Sequence, residues 1–178
     1  MLEETGCRIL LIYKSGGRAS LLSFFVKEKK IKTMNVSGLQ YNLNRKTLEI
    51  YVSGCDGGCK GCHNEELWDY SLGKEYKYYI KKIEEELKSG MVDEFWVLGG
   101  DPMDQNLNEL CYLLAFLFST GRRIWLWTRH PFETIPEEVK QYCSYIKTGE
   151  YIEDLPGYVD EETEVELASS NQVIHKLL

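Results

Sequence analysis

Three cysteines within eight residues are the part of this sequence best equipped for chemistry. Cys55, Cys59 and Cys62 lie in Gly54-Cys55-Asp56-Gly57-Gly58-Cys59-Lys60-Gly61-Cys62-His63 and are half of the six cysteines in the chain. The glycines between them let the backbone turn tightly enough for three thiolates to converge. At C-x-x-x-C-x-x-C spacing they can hold three irons of a [4Fe-4S] cluster, whereas a cluster dedicated to electron transfer normally takes four cysteines. The fourth iron is then open to a reactant, by the logic that separates catalytic from structural zinc. Two other uses compete for the same residues. Cys59-Lys60-Gly61-Cys62-His63 spells c-type haem attachment, which would leave Cys55 unexplained. A Cys₃His zinc site would ask Cys62 and His63, adjacent in sequence, to reach one tetrahedral metal, and structural zinc usually joins two separated knuckles.

The elements that must position this loop follow from the flanking pattern. Thr47 to Val52 is β-branched and aromatic and runs directly into the cysteines, so it is expected to be the first core strand with the reactive loop at its C-terminal end. Lys74 to Ser89 carries Tyr76, Tyr79, Ile80, Ile83 and Leu87 at helical spacing and stops at Gly90; its tyrosine stripe reads as core packing. Glu94 to Leu98 is a short buried strand, and Gly99-Gly100-Asp101-Pro102 follows at once. Alone that turn is ordinary. One strand-helix-strand unit after a cysteine loop, it becomes informative, because two glycines leave backbone groups unscreened.

Leu107 to Ser119 reads as an apolar helix ended by Gly121, and Arg123 to Trp127 as a strand whose two faces are both covered. Thr128 ends that strand and is placed to face a cofactor, while His130 reads as a surface residue. Pro136 opens a helix to about Tyr142, and Tyr145 to Tyr151 is a late strand. Cys111 and Cys143 read as buried structural residues. Before the core, Arg8 to Tyr13 and Ala19 to Val26 flank turn residues and predict a β-hairpin at the sheet edge. Lys27, Lys29, Lys30 and Lys32 read as a solvated strand end, and the acidic Glu153 to Glu166 as a solvated loop.

The 178 residues, 43% hydrophobic, suit a single domain spanning 1–178, with 1–46 as a β-rich N-terminal extension. The net charge of −7 argues against a general nucleic-acid surface. No apolar run is long enough to span a bilayer, and the acidic N-terminus lacks a signal-peptide pattern, so a membrane is not expected as a partner and a cytoplasmic location is. A reducing compartment keeps thiols available to a metal.

With these residues in place, the chain resembles the radical S-adenosylmethionine superfamily, whose hallmark is this cysteine spacing on the loop after the first core strand. His63-Asn64-Glu65-Glu66-Leu67-Trp68, Gly99-Gly100-Asp101-Pro102 and Ser169-Ser170-Asn171-Gln172 narrow the resemblance to the activating proteins of anaerobic ribonucleoside-triphosphate reductase. The resemblance implies an α/β fold, the open partial (β/α) barrel of the radical S-adenosylmethionine type with an N-terminal β-hairpin extension. It implies a [4Fe-4S] cluster on Cys55, Cys59 and Cys62, and S-adenosyl-L-methionine held by His63, Gly99, Gly100, Asp101, Pro102, Thr128 and Lys147. Asp101 would hold its amino group and Lys147 its carboxylate, with no catalytic side chain beyond cluster and cofactor. The implied reaction is reductive cleavage of S-adenosylmethionine and generation of a glycyl radical on the reductase, with electrons from an external donor such as flavodoxin or ferredoxin. Activation of another glycyl-radical enzyme, small-molecule radical chemistry, or a zinc-binding or redox-sensing module are the alternatives.

Overall fold

A computed structural model describes residues 8–15, 18–25 and 33–178. The chain divides into two compact units, Met1–Ile31 and Lys32–Leu178. In the first, β1 (Arg8–Ser15) and β2 (Arg18–Phe25) pair antiparallel from Arg8↔Phe25 to Ser15↔Arg18. The predicted hairpin is present as a two-stranded sheet. Cys7 and the lysines at 27, 29, 30 and 32 lie outside the described residues.

The second unit is built on a seven-stranded mixed sheet. Its elements are β3 (Asn35–Asn42), β4 (Thr47–Ser53), β5 (Lys74–Glu75), α1 (Tyr76–Leu87), β6 (Glu94–Gly99), α2 (Leu107–Ser119), β7 (Arg123–Trp127), α3 (Glu137–Lys140), β8 (Tyr145–Thr148), β9 (Tyr158–Val159), β10 (Glu166–Leu167) and β11 (Val173–Lys176). The strand order is β11-β8-β7-β6-β4-β3-β5. Neighbours β4, β6, β7 and β8 are parallel, while β3, β5 and β11 add antiparallel at the edges. The parallel strands therefore sit side by side in chain order, and the sheet is open, with no closed barrel.

Side-chain alternation along the strands divides the core between the two faces. Leu48, Ile50, Val52, Phe95, Val97, Ile124, Leu126 and Ile146 pack with α1, α2 and α3 through residues such as Tyr79, Ile83, Leu113, Leu117 and Val139. The tyrosine stripe of α1 is core, as its spacing predicted. Asn106 caps α2 by accepting from the backbone N–H of Asn108 and Glu109, and Gly121 ends the helical stretch at φ +72°.

Among the described residues the opposite face carries no helix. Trp96 and Trp125 are covered there by Val165 and Leu167, with Leu98, Trp127, Tyr145 and Ile174 alongside. This corrects the reading of 153–166 as a solvated loop. Its charged residues face water, but Val165 is 2% exposed, and the short β9–β10 pairing holds Leu167 at 0%. Arg45 fastens the same segment by donating to the carbonyls of Thr163 and Glu164. The indole N–H groups of Trp96 and Trp125 donate to the Glu94 carboxylate, whereas that of Trp127, alongside them, is buried without a partner.

Candidate active site

The parallel register aligns the C-terminal ends of four strands: Val52 opposite Gly99, Val97 opposite Leu126, and Trp127 opposite Lys147. One cavity of about 300 Å³ opens above them. Its wall includes Cys55, Cys59, Cys62, His63, Gly99, Gly100, Asp101, Thr128 and Lys147. Every residue that the sequence nominated is in this wall except Pro102, which is buried at the start of the 3₁₀ turn that presents Asp101.

The cysteine loop is held at its root. Gly54 N–H donates to Leu67 O and Cys55 N–H to Trp68 O, and Cys62 N–H closes a turn onto Cys59 O. Gly54 sits at φ +104° under the Tyr70 ring, which leaves no room for a side chain. The turn after β6 is fastened to the same point: Asp101 N–H and Gln105 Nε2 both donate to Gly54 O at 2.9 Å. The two glycines at 99 and 100 are required for this contact. A Cβ on Gly99 would lie 2.7 Å from Val52 O, and one on Gly100 would lie 2.3 Å from Gly54 O. One side of this backbone is thus pressed against β4 and the root of the cysteine loop, while both glycines also line the cavity.

Asp101 is held by donors of the protein itself. Its carboxylate is 2% exposed and accepts from Met103 N–H (2.9 Å), Thr128 Oγ1 (2.7 Å) and Arg129 N–H (2.9 Å). Both oxygens are engaged within the protein, so Asp101 ties the β6 turn to the end of β7. Burial pushes its pKa up, against the pull of those three donors. Lys147 lies under the cavity with Nζ 3.0 Å from Gly149 O, and burial lowers its pKa to about 8, with Asp101 and Cys59 pulling the other way.

Sequence reading missed Asp104 and Arg129. Asp104 accepts from Asp56 N–H in the cysteine loop, from Arg129 Nη2 on both oxygens, and from His130 Nε2 at 2.7 Å. His130 is thus tethered beside the cysteine loop and is not a free surface residue. Burial opposes charge on Asp104, but those donors outweigh it and hold its carboxyl below the usual value. The available signal was position: Arg129 and His130 follow directly on a strand's C-terminal end, where an α/β sheet puts reactive groups. Trp127 and Gln172, also in the wall, were not nominated as ligand-binding residues.

The donor set fits a cluster. Cys55, Cys59 and Cys62 are all free thiols. Two of the sulfurs already receive backbone N–H groups, Cys55 from Gly57 at 3.3 Å and Cys62 from Asn64 at 3.5 Å. Such hydrogen bonds to sulfur are among the levers that set cluster potentials. Burial raises the pKa of Cys55, Gly57 N–H and Arg129 pull it down, and Asp101 and Asp104 push it up. A tetrahedral zinc thiolate needs sulfurs roughly 3.8 Å apart, from Zn–S bonds of about 2.3 Å. Among the described residues the trio of ligand atoms within 4.8 Å of one another is Cys55, Asp101 and Asp104, and not the three cysteines. Both carboxylates of that trio already accept hydrogen bonds from the protein. His63 packs its ring against Tyr151 at 4.8 Å.

Comparison with known proteins agrees with this geometry. Residues 44–175 match the family described as the 4Fe-4S single cluster domain. The anaerobic ribonucleoside-triphosphate reductase-activating protein of Vibrio cholerae is 31% identical over 136 residues, covering 71% of this chain and 85% of that protein. The protein of the same name from Enterobacteria phage T4 is 30% identical over 112 residues, 60% of this chain and 72% of its own. That of Escherichia coli K12 is 26% identical over 140 residues, 72% and 86%. A match across most of the chain, with three cysteines gathered at the C-terminal ends of the parallel strands, places this protein in the 4Fe-4S single cluster domain family, among the anaerobic ribonucleoside-triphosphate reductase-activating proteins.

Proposed function

We propose that this protein is a radical S-adenosylmethionine activase that generates the glycyl radical of an anaerobic ribonucleoside-triphosphate reductase. The observation that carries the reading is the single cavity shared by Cys55, Cys59, Cys62, the Gly99-Gly100-Asp101 turn, Thr128 and Lys147. The three thiolates hold three irons of a [4Fe-4S] cluster and leave one iron for S-adenosylmethionine. When bound, the reduced cluster supplies the electron for reductive cleavage of S-adenosylmethionine, the chemistry that removes a hydrogen atom from a glycine.

The remaining work falls to the chain. Lys147 offers a cation to the cofactor's carboxylate from a largely dehydrated position, where charge pairing is stronger than in water. Asp101 acts on the site chiefly by locking the Gly99-Gly100 backbone and Thr128 in register, and its buried negative charge is the one offered to the cofactor's amino group. Trp127 and the helix-free face exclude water from the floor of the cavity. The target glycine must come within roughly 3 to 3.5 Å of the reacting atom, so the reductase has to insert a loop into the cavity mouth near His63 and Tyr151.

Adjacent parallel strands in chain order, with every core helix on one face, support reading the sheet as an open partial (β/α) barrel whose helix-free face is the inside. The reading treats 1–178 as one functional domain, reduced by an external donor such as flavodoxin or ferredoxin in a cytoplasmic setting. Among the described residues no helix is long and apolar enough to cross a membrane. Anaerobic mixing of the reduced protein, S-adenosylmethionine and a class III reductase should give a glycyl-radical doublet by electron paramagnetic resonance, lost when the reductase's radical glycine is changed to alanine. Cofactor cleavage without a radical on the reductase would refute the activase function.

A further inference from the structure

The environment of Cys55 contains a charge problem that the function above does not address. Carboxylate oxygens of Asp101 and Asp104 lie within 4.8 Å of the Cys55 sulfur. Two anions beside a ligating thiolate disfavour adding an electron to the metal centre it holds, because net charge near a cluster is one of the terms that set its potential. The Arg129 side chain reaches the same place. Arg129 donates through Nη2 to both oxygens of Asp104, at 3.2 and 3.1 Å, which fixes the guanidinium plane. Its Nε is buried without a hydrogen-bond partner, 3.7 Å from Asp101 Oδ2.

Gly57 shows where that Nε sits. A Cβ at position 57 would lie 2.9 Å from Arg129 Cδ and Nε and 3.1 Å from Cys55 Sγ. The sulfur and the unpartnered N–H therefore converge on one glycine, and any larger residue would push them apart. Asp104 also accepts from Asp56 N–H, the residue next to Cys55, so a single carboxylate sets both the cysteine loop and the guanidinium. A buried donor left unmatched in a closely packed site costs stability unless something accepts from it. A thiolate or a cluster sulfur is an acceptor of the right charge.

We propose that Arg129 is a positioning residue for the cluster: held by Asp104, it presents its free Nε–H to the Cys55 side and supplies the counter-charge that raises the reduction potential. The inference rests on the cluster assignment made above. Reduction by one electron makes the cluster more negative, no bond to Arg129 forms or breaks, and the guanidinium stabilises the reduced form more than the oxidised one.

The test is a potentiometric titration of the cluster, followed by electron paramagnetic resonance, in anaerobic protein without S-adenosylmethionine. Arg129→Gln should lower the reduction equilibrium at least tenfold, a shift of 59 mV to more negative potential for a one-electron couple. Arg129→Lys should recover at least half of that shift. A Gln variant with the parent potential overturns the proposal. If the Gln variant takes up no iron, Arg129→Met, which keeps much of the length without the charge, takes its place in the same titration, and a parental potential there overturns the proposal. A parent protein that binds no four-iron cluster refutes the cluster assignment itself, which iron and sulfide analysis separates from a failure of the Arg129 role.

Discussion

Replacing Gly100 by alanine tests whether the glycine pair serves close packing. The new Cβ would lie 2.3 Å from Gly54 O, 2.8 Å from Gly54 C and 2.9 Å from Gly54 N, all of them backbone. Gly100 is not among the glycines with positive φ, so alanine can adopt its conformation and the whole cost comes from that contact. Restoring an ordinary separation of about 3.3 Å means parting the two segments by roughly 1 Å, in the range where overpacking costs about 1 to 3 kcal/mol. The same movement stretches the two hydrogen bonds on Gly54 O, from Asp101 N–H and Gln105 Nε2, past useful length. At about 0.5 to 1.5 kcal/mol each, the sum is roughly 2 to 6 kcal/mol, a large share of the 5 to 15 kcal/mol typical of a domain. Gly58→Ala is the control, in the same loop at φ +81° with nothing within 4 Å of its Cβ, and should cost only about 1 to 2 kcal/mol for the left-handed backbone. Urea unfolding of the anaerobic apoprotein measures both, and iron content reports whether Cys55 is still in place. A Gly100→Ala protein within 1 kcal/mol of the parent, with parental iron, would refute the close-packing argument.

Alanine at Cys55, Cys59 or Cys62 should abolish iron binding, while Cys111→Ala and Cys143→Ala should retain it; loss of iron in either of the latter would move the metal site. Asp101→Ala leaves three donors unmatched in a buried site and should destabilise by about 3 kcal/mol or more, alongside weaker S-adenosylmethionine binding by calorimetry. Parent stability would show that the tie between β6 and β7 is not needed. Leu167→Ala removes a fully buried side chain from the helix-free face and should cost about 2 to 5 kcal/mol in chemical denaturation. A negligible change would return the 153–166 segment to a solvated loop.

The chemistry and the core pattern were legible in the residues themselves. Local spacing determines both, because cysteines three and four residues apart share one loop, and apolar periodicity along Thr47 to Val52 or Tyr76 to Leu87 names the buried face whatever surrounds it. The antiparallel strands β3 and β11 were not read as strands, since each is defined by its neighbours: β3 lies between β4 and β5, and the edge strand β11 exists through its pairing with β8. Val165 and Leu167 sit in an acidic, turn-rich stretch whose composition says solvent, and only the tryptophans of a sheet face without a helix among the described residues give them something to cover. The same limit applies in the site. That Asp101 faces inward to Thr128 and Arg129, and that Asp104 joins Asp56, Arg129 and His130, depends on which strand ends meet across the sheet. Residue type and spacing determined which atoms could hold a cluster. The parallel register of β4, β6, β7 and β8 decided which carboxylates and which cation stand beside it, because side chains 25 to 48 residues apart acquire contact only through tertiary folding.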